Sequence, residues 1–105
     1  MILSQSFKKQ LRSIGHQLNP AVIISSKGLH ENLLIEMKTA LDNHELIKIK
    51  LVNENREEKK EWEKSICETL AAELIQRVGN VLLVYKKSEE QNTKLSNVVR
   101  FNIKG

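Results

Sequence analysis

Residues 21–51 read AVIISSKGLHENLLIEMKTALDNHELIKIKL and place two short apolar runs on either side of an amphipathic segment. The first run, Ala21–Ile24, predicts a strand, which Ser25-Ser26-Lys27-Gly28 ends with polar and flexible residues. From Leu29 to Asn43 apolar residues recur at helical spacing, and from Leu46 to Leu51 they alternate with lysines. The segment therefore predicts a strand, a loop, a helix and a second strand, with the loop leading directly into the helix.

The flanking sequence predicts two further helices and two further strands. In chain order we predict a helix over Ser4–His16, the unit above, a helix over Asn55–Ala71, and strands over Glu73–Val78 and Val81–Lys86. Asn55, followed three residues later by Glu58, resembles a capping box at the start of a helix. Gly79-Asn80 suits the positive backbone angles of a tight hairpin turn.

This α-β-α-β-α-β-β order predicts an α/β fold in which helices pack against a mixed four-stranded sheet. The consecutive apolar residues of Val81–Val84 predict a central strand or one covered on both faces. The lysine-bearing face of Leu46–Leu51 is typical of a sheet covered on one side. Ser88–Thr93 is polar and predicted to be mobile. Beyond it, Val99, Phe101 and Ile103 alternate with polar residues and predict either an edge strand or a segment that docks on a neighbour.

Composition limits the class of protein. The chain has 105 residues, which make one domain, and 17 Lys and Arg against 13 Asp and Glu give a net charge of +4. This excess of positive charge is compatible with a nucleic-acid partner. Residues 1–50 and 86–105 each carry +3, whereas residues 51–85 carry −2, so residues 21–51 lie in the basic part of the chain. A single cysteine excludes an intramolecular disulfide and favours a reducing, cytoplasmic location. We expect no secretory signal and no membrane-spanning segment.

The loop offers a place for a phosphate group. Ser25, Ser26, Lys27 and Gly28 supply two hydroxyls, an ammonium group and a residue without a side chain before the free amides of a helix. The alternative is a plain strand-to-helix turn in which glycine is present because it can adopt the dihedral angles that the turn requires. A surface that contacts phosphates would be larger if the first helix and second strand lay beside the loop, because they carry Lys8, Lys9, Arg12, Lys48 and Lys50.

Other reactive residue types have simpler roles. His16, His30 and His44 lie at helix ends or turns with no spacing typical of a metal site, so we expect capping or surface roles and no metal or cofactor. Cys67 is expected to pack its helix, and Trp62 and Tyr85 to pack the core. The glutamates of residues 54–68 indicate a solvated helix face. No pattern favours catalysis.

Three blocks of this sequence resemble the CRM domain, the chloroplast RNA splicing and ribosome maturation module, in its stand-alone bacterial form, the YhbY family. They are Leu18–Ile24, Lys27-Gly28-Leu29 and His44–Lys50, and the resemblance spans residues 4–97. It implies a fold similar to the C-terminal domain of translation initiation factor three. In the family a Gly-x-x-Gly motif occupies the loop, comparable to the KH-domain loop that clamps an RNA backbone. Here Ser25 replaces the first glycine, which makes a positive φ or a close approach costlier at that position.

The resemblance implies a non-enzymatic RNA-binding protein, and ribosomal RNA in precursors of the large ribosomal subunit as the partner. The residues that we predict to contact RNA are Ser25, Ser26, Lys27, Gly28, Leu29, His30, Lys8, Lys9, Arg12, Lys48 and Lys50. We expect a monomer with an RNA-binding domain over residues 1–97 and an extension over residues 98–105. The alternative function is a protein-interaction module that uses the acidic third helix and the C-terminal apolar stripe.

Overall fold

The computed structural model describes residues 3–101. Eight elements follow one another in these residues: α1 (Gln5–Gly15), β1 (Pro20–Ile24), α2 (Glu31–His44), β2 (Leu46–Leu51), α3 (Arg56–Leu70), β3 (Glu73–Val78), β4 (Val81–Tyr85) and α4 (Asn97–Arg100). The predicted α-β-α-β-α-β-β order is confirmed, and the short α4 is added to it. The predicted cap of α3 is also confirmed, since the Asn55 side chain accepts a hydrogen bond of 3.0 Å from the Glu58 amide.

The four strands form one mixed sheet in the order β1-β2-β4-β3. β1 runs parallel to β2, whereas β4 runs antiparallel to both β2 and β3. β4 is therefore an interior strand, and Leu82, Leu83, Val84 and Tyr85 are all buried in it. This confirms the prediction of a central strand covered on both faces.

A separate apolar cluster covers each face of the sheet. On one face α2 and α3 contribute Leu33, Met37, Leu41, Trp62, Ile66 and Leu70 to the larger cluster. On the other face α1 contributes Phe7, Leu11 and Ile14 to a smaller cluster with Leu46, Leu83 and Tyr85. The prediction of one open face at β2 is therefore wrong at Leu46, which is fully buried under α1.

The close approach of α1 to the sheet depends on Gly15. A Cβ atom placed on Gly15 would lie 2.7 Å from the Cδ2 atom of Leu83, nearer than side-chain atoms normally approach. α1 ends at Gly15, directly above Leu83. The position at which α1 ends therefore determines how much of this face of the sheet remains uncovered.

Of the two alternatives predicted for the C-terminal segment, the edge strand is wrong and the docked segment agrees with the structure. Val99 lies in the helix α4 and not in an edge strand, because Ser96 caps the helix by accepting hydrogen bonds from two amides. Val98 is buried in the α1 cluster and Phe101, a residue of the predicted stripe, packs against it, so the segment docks on the rest of the chain. Ile103 lies outside the described residues. The domain boundary at residue 97 stays a prediction.

A buried carboxylate connects this segment to the corner between α2 and β2. Glu45 is fully buried at a positive φ of 62°. Its oxygens accept hydrogen bonds from the Ser88 amide (2.9 Å), the Gln91 side chain (2.6 Å) and the Ser96 hydroxyl (2.5 Å). Ser88–Thr93, predicted to be mobile, is thus anchored at two of its residues.

Candidate nucleic-acid interface

Three chain connections meet at one end of the sheet. The parallel strands β1 and β2 both finish there, and the Val52 amide donates to the Ile24 carbonyl at 2.8 Å. The β3–β4 hairpin turns back at the same end, where the Leu51 amide donates to the Asn80 carbonyl at 2.7 Å. We call this edge the loop end of the sheet. The amino termini of α2 and α3 also follow directly from it.

The loop Ser25–Gly28 is a closed turn. The Gly28 amide donates to the Ser25 carbonyl at 2.9 Å, and Gly28 has a φ of 79°. Ser25 does not adopt a positive φ, so its Cβ atom causes no backbone strain. The turn exposes Ser25, Ser26 and Lys27, whereas Gly28 lies with its Cα side toward Trp62. In this turn a positive φ is therefore needed at Gly28 and not at Ser25.

The helix after the loop begins two residues later than predicted. α2 starts at Glu31, and His30 is its cap, with Nδ1 accepting from the Leu33 amide at 3.3 Å. The backbone amides at the start of α2, before Leu33, are therefore those of Glu31 and Asn32. Leu29 and His30, which we predicted to contact RNA, precede the helix. Leu29 is partly buried against the larger core cluster. The capping role predicted for His30 is confirmed.

The predicted cations divide into two sets. Lys50 pairs with Ile23 across the sheet, two residues before the loop, and Lys48 lies opposite Leu83 below the end of α1. Both lysines thus lie on the α1 face near the loop end, as does the last turn of α1 with Arg12. Lys8 and Lys9 are one turn or more earlier, next to Phe7. The ring of Phe7 packs edge-on against Tyr85 at the opposite end of β4, with a centroid distance of 5.4 Å.

The structure also forms a cationic cleft that the sequence prediction missed. It has a volume of about 480 Å³ and lies between the first two turns of α3, the end of β2 and the β3–β4 hairpin. Its charged lining residues are Arg56, Lys59, Lys60, Glu63 and Arg77, with a net charge of +3. Arg77 pairs with Glu63 at 3.1 Å, and Lys59 donates to the Asn80 side chain at 2.7 Å. Arg56 and Lys60 are exposed beside them.

The cleft was missed because charge was summed along the sequence. Residues 51–85 carry −2 in total, but three cations of α3 lie on the side of the helix that lines the cleft. Arg56, Lys59 and Lys60 follow the spacing i, i+3 and i+4, which places them on one side of a helix. That spacing was the available signal. The pairing of Glu63 with Arg77 depends on the fold, and no local pattern indicates it.

The remaining predicted residues have structural positions. Trp62 and Tyr85 are buried in the core, as predicted. Burial raises the pKa of Tyr85 to about 12, and the charge of Glu45 adds to the effect. Burial also raises the pKa of the Cys67 thiol, with contributions from Glu63 and Glu73. His44 contacts the Leu95 carbonyl at 3.0 Å.

The described part of the chain contains neither a group of side chains placed to hold a metal ion nor a membrane-spanning helix. Within residues 3–101 no group of three His, Cys, Asp or Glu side chains is placed to hold a metal ion. No helix in that range is long and apolar enough to cross a membrane.

Comparison with known proteins places the chain in a family. The model of the CRS1 / YhbY (CRM) domain matches residues 3–86. The chain is 42% identical over 101 residues to a protein of Pseudomonas aeruginosa named "Probable RNA-binding protein", covering 96% of this chain and 97% of the relative. It is 38% identical over 93 residues to a Haemophilus influenzae protein named "RNA-binding protein", covering 89% and 94% of the two chains.

A solved structure has the same fold. The solution structure of a hypothetical protein from Staphylococcus aureus superposes with a TM-score of 0.72 at 32% identity, covering 90% of this chain and 98% of that one. The family match spans the sheet, the loop end and α1 to α3. The chain therefore belongs to the CRS1/YhbY family of CRM domains.

Proposed function

We propose that this protein binds RNA at the loop end of its sheet and catalyses no reaction. The observation that carries the proposal is the concentration of cations around that end. Lys27 lies in the exposed turn, Lys50 lies on the neighbouring strand, and the cleft beside the hairpin carries a net charge of +3. The names of the relatives from Pseudomonas aeruginosa and Haemophilus influenzae support RNA as the ligand.

The geometry favours contacts with the phosphate backbone. Lys27 is exposed in the turn after β1, and Arg56 and Lys60 are exposed at the start of α3, so together they can follow a chain of phosphates across the loop end of the sheet. The Gly28 amide already donates to Ser25 and is not a phosphate donor in this turn. Contacts of this kind position an RNA without reading its bases, so we expect weak sequence preference from the loop end alone.

The expected partner is ribosomal RNA in precursors of the large ribosomal subunit, in an assembling particle. This part of the proposal rests on the resemblance to stand-alone bacterial CRM proteins. Crosslinking the protein to RNA in cells and sequencing the attached fragments tests it. Enrichment of large-subunit precursor sequences supports the assignment, whereas enrichment of messenger RNA alone contradicts it.

Binding to RNA is tested by fluorescence anisotropy with a labelled RNA hairpin over a series of salt concentrations. We expect affinity to fall steeply with salt and Lys27→Glu to weaken binding further, with the salt slope reduced by about one. Lys94→Glu is the matched control, because Lys94 is also exposed and lies in the segment anchored to Glu45. Undetectable binding at low salt, or equal losses in the two variants, contradicts the proposal.

A further inference from the structure

The sheet face under α1 is open near the loop end. One row of residues crosses all four strands there, in the order Ile23, Lys50, Val81 and Val78, each paired with the next. Ile23 is 55% exposed and Val78 is 60% exposed. α1 stops above Leu83 in the adjacent row and does not cover them. Two apolar side chains, Ile23 and Val78, are therefore left facing solvent in the same row as Lys50.

A small pocket lies where this open row meets the end of α1. Its volume is about 160 Å³. Val78, Val81 and Leu83 form its apolar floor, and His16, Lys48 and Gln76 form its polar rim. Gln76 reaches this face because the pairing of β3 with β4 shifts register between Leu74 and Gln76. The pocket thus combines a flat apolar surface with side chains that can donate and accept hydrogen bonds.

We propose that this pocket receives one unpaired nucleobase of the bound RNA, an inference that rests on the proposed RNA-binding function. The volume lies well below the ~300–1,000 Å³ of pockets for drug-sized ligands and suits a single ring system. The floor contacts the face of the base, and the amide of Gln76 can pair with its edge. Lys48 beside the pocket and Lys50 in the open row can hold the flanking phosphates.

The charges connect this pocket with the loop end. Lys50 lies between Ile23 of β1 and Val81 of the pocket, so an RNA strand held at Lys27 can cross the open row over Lys50 to reach the pocket. Arg12 lies one helical turn before His16 and extends the cationic surface beyond the pocket. A base in a duplex is stacked and cannot enter. The pocket therefore gives the protein a preference for unpaired over duplex RNA, which phosphate contacts alone do not provide.

The first test is an NMR titration of the full chain with uridine monophosphate, adenosine monophosphate and ribose phosphate. We expect the two nucleotides to shift the amide resonances of Gln76, Val78 and Val81, and ribose phosphate to leave them unchanged. Ribose phosphate carries the same phosphate and sugar without a base, so it separates base contacts from phosphate contacts. Equal shifts for all three compounds, or no shift at these residues, overturn the proposal.

The second test compares the affinities for a single-stranded oligouridine and for an RNA duplex. Val78→Asn places a polar group in the floor without adding charge, and Leu95→Asn is the control, since Leu95 is also exposed but lies outside the pocket. We expect Val78→Asn to lower the affinity for the single strand about tenfold and to change the duplex affinity less than about twofold. Leu95→Asn should change neither.

The results separate this inference from the proposed function. If RNA binding depends on Lys27 but Val78→Asn leaves the preference for single strands unchanged, the base pocket is refuted and RNA binding at the loop end stands. If the protein binds neither RNA at low salt, both are refuted. Stability measurements on Val78→Asn and Leu95→Asn show whether either variant loses its fold, and the nucleotide titration then decides with the unmodified chain.

Discussion

Replacing Glu45 should uncouple the C-terminal segment from the rest of the fold. The carboxylate has no exposed surface and accepts three hydrogen bonds from Ser88, Gln91 and Ser96. Glu45→Ala removes both acceptor oxygens, and with them all three hydrogen bonds, and leaves a cavity at the corner between α2 and β2. The Ser96 hydroxyl is then buried without its acceptor, Ser88 is partly buried, and the exposed Gln91 side chain can turn to solvent.

The size of the effect follows from these contacts. A hydrogen bond to a charged group contributes ~1.5–3 kcal/mol, but burying the carboxylate itself costs several kcal/mol, so the three contributions do not simply add. A buried group left without its hydrogen-bond partner costs ~1–3 kcal/mol, and the cavity left by the side chain adds to this loss, so we expect Glu45→Ala to lose ~2–4 kcal/mol. Glu45→Gln keeps the oxygen that faces Gln91 and Ser96, but its amide group meets the Ser88 amide. We expect a loss of ~1–3 kcal/mol.

Urea unfolding measures these changes, with the fluorescence of the single tryptophan, Trp62, as the signal. Glu89→Ala is the control, because it removes an exposed carboxylate from the same segment and should change the free energy of unfolding by less than ~0.5 kcal/mol. Glu45→Gly is a second comparison. It also removes the carboxylate but relieves the positive φ of 62°, so it should be more stable than Glu45→Ala by ~1–2 kcal/mol.

A loss below ~1 kcal/mol in Glu45→Ala, equal to that of Glu89→Ala, would refute the role of this carboxylate. Coupling is measured separately by combining Glu45→Gln with Ser96→Ala. Because the two side chains are in contact, the loss in the double variant should be smaller than the sum of the two single losses. Strict additivity would show that the Ser96 hydroxyl does not depend on Glu45.

Three further predictions concern other residues. Because the pKa of Tyr85 is raised in the folded protein, the unfolded chain loses the phenol proton at a lower pH, and the free energy of unfolding should fall as the pH rises from about 10 to about 12. Tyr85→Phe should remove this fall. Ionisation of the Tyr85 phenol near pH 10 in the folded protein would contradict the prediction. Cys67 should react with iodoacetamide at neutral pH more slowly than free cysteine and at the ordinary rate in urea, because burial raises the pKa of its thiol. Ser25→Gly should lower the free energy of unfolding by ~0.4–1 kcal/mol, since Ser25 has no positive φ and glycine adds only freedom to the unfolded chain; a gain in stability in urea unfolding would show that Ser25 is strained.

Local patterns were sufficient for the elements of the fold and their order. The alternation in Leu46–Leu51 and the apolar run Val81–Val84 identified two strands, and the second was correctly expected to be central. The cap at Asn55 was also readable, because capping depends on residues three positions apart. Such signals are local, so a single sequence is enough to show them.

The misses depend on contacts between distant parts of the chain. Glu45 appears as a polar residue in a turn, and its burial follows only from the return of Ser88, Gln91 and Ser96 more than forty residues later. The alternation at Val99 left open an edge strand or a docked segment, and the Ser96 cap together with packing against α1 favours a short docked helix. Tertiary contacts outweigh a weak local preference in such short segments.

Only part of the candidate site could likewise be predicted from the sequence. The turn at Lys27 and Gly28 followed from the sequence, because a polar break between a strand and a helix has few local structures. Predicting the cleft at Arg56 and Lys60 would have required the charges of each helical face to be counted separately. The proposed base pocket forms because β3 shifts register at Gln76 and α1 ends at Gly15. These features arise from packing, which charge totals do not show.

The most direct test of the central claim is an NMR footprint of a bound RNA hairpin on the full chain. The hairpin should shift the amide resonances of Lys27, Lys50 and Lys60 most strongly, because these residues surround the loop end. Residues around Lys87 and Lys94, at positions outside that end, should shift little. A footprint centred on Lys87 and Lys94, with Lys27 and Lys60 unchanged, would contradict the account.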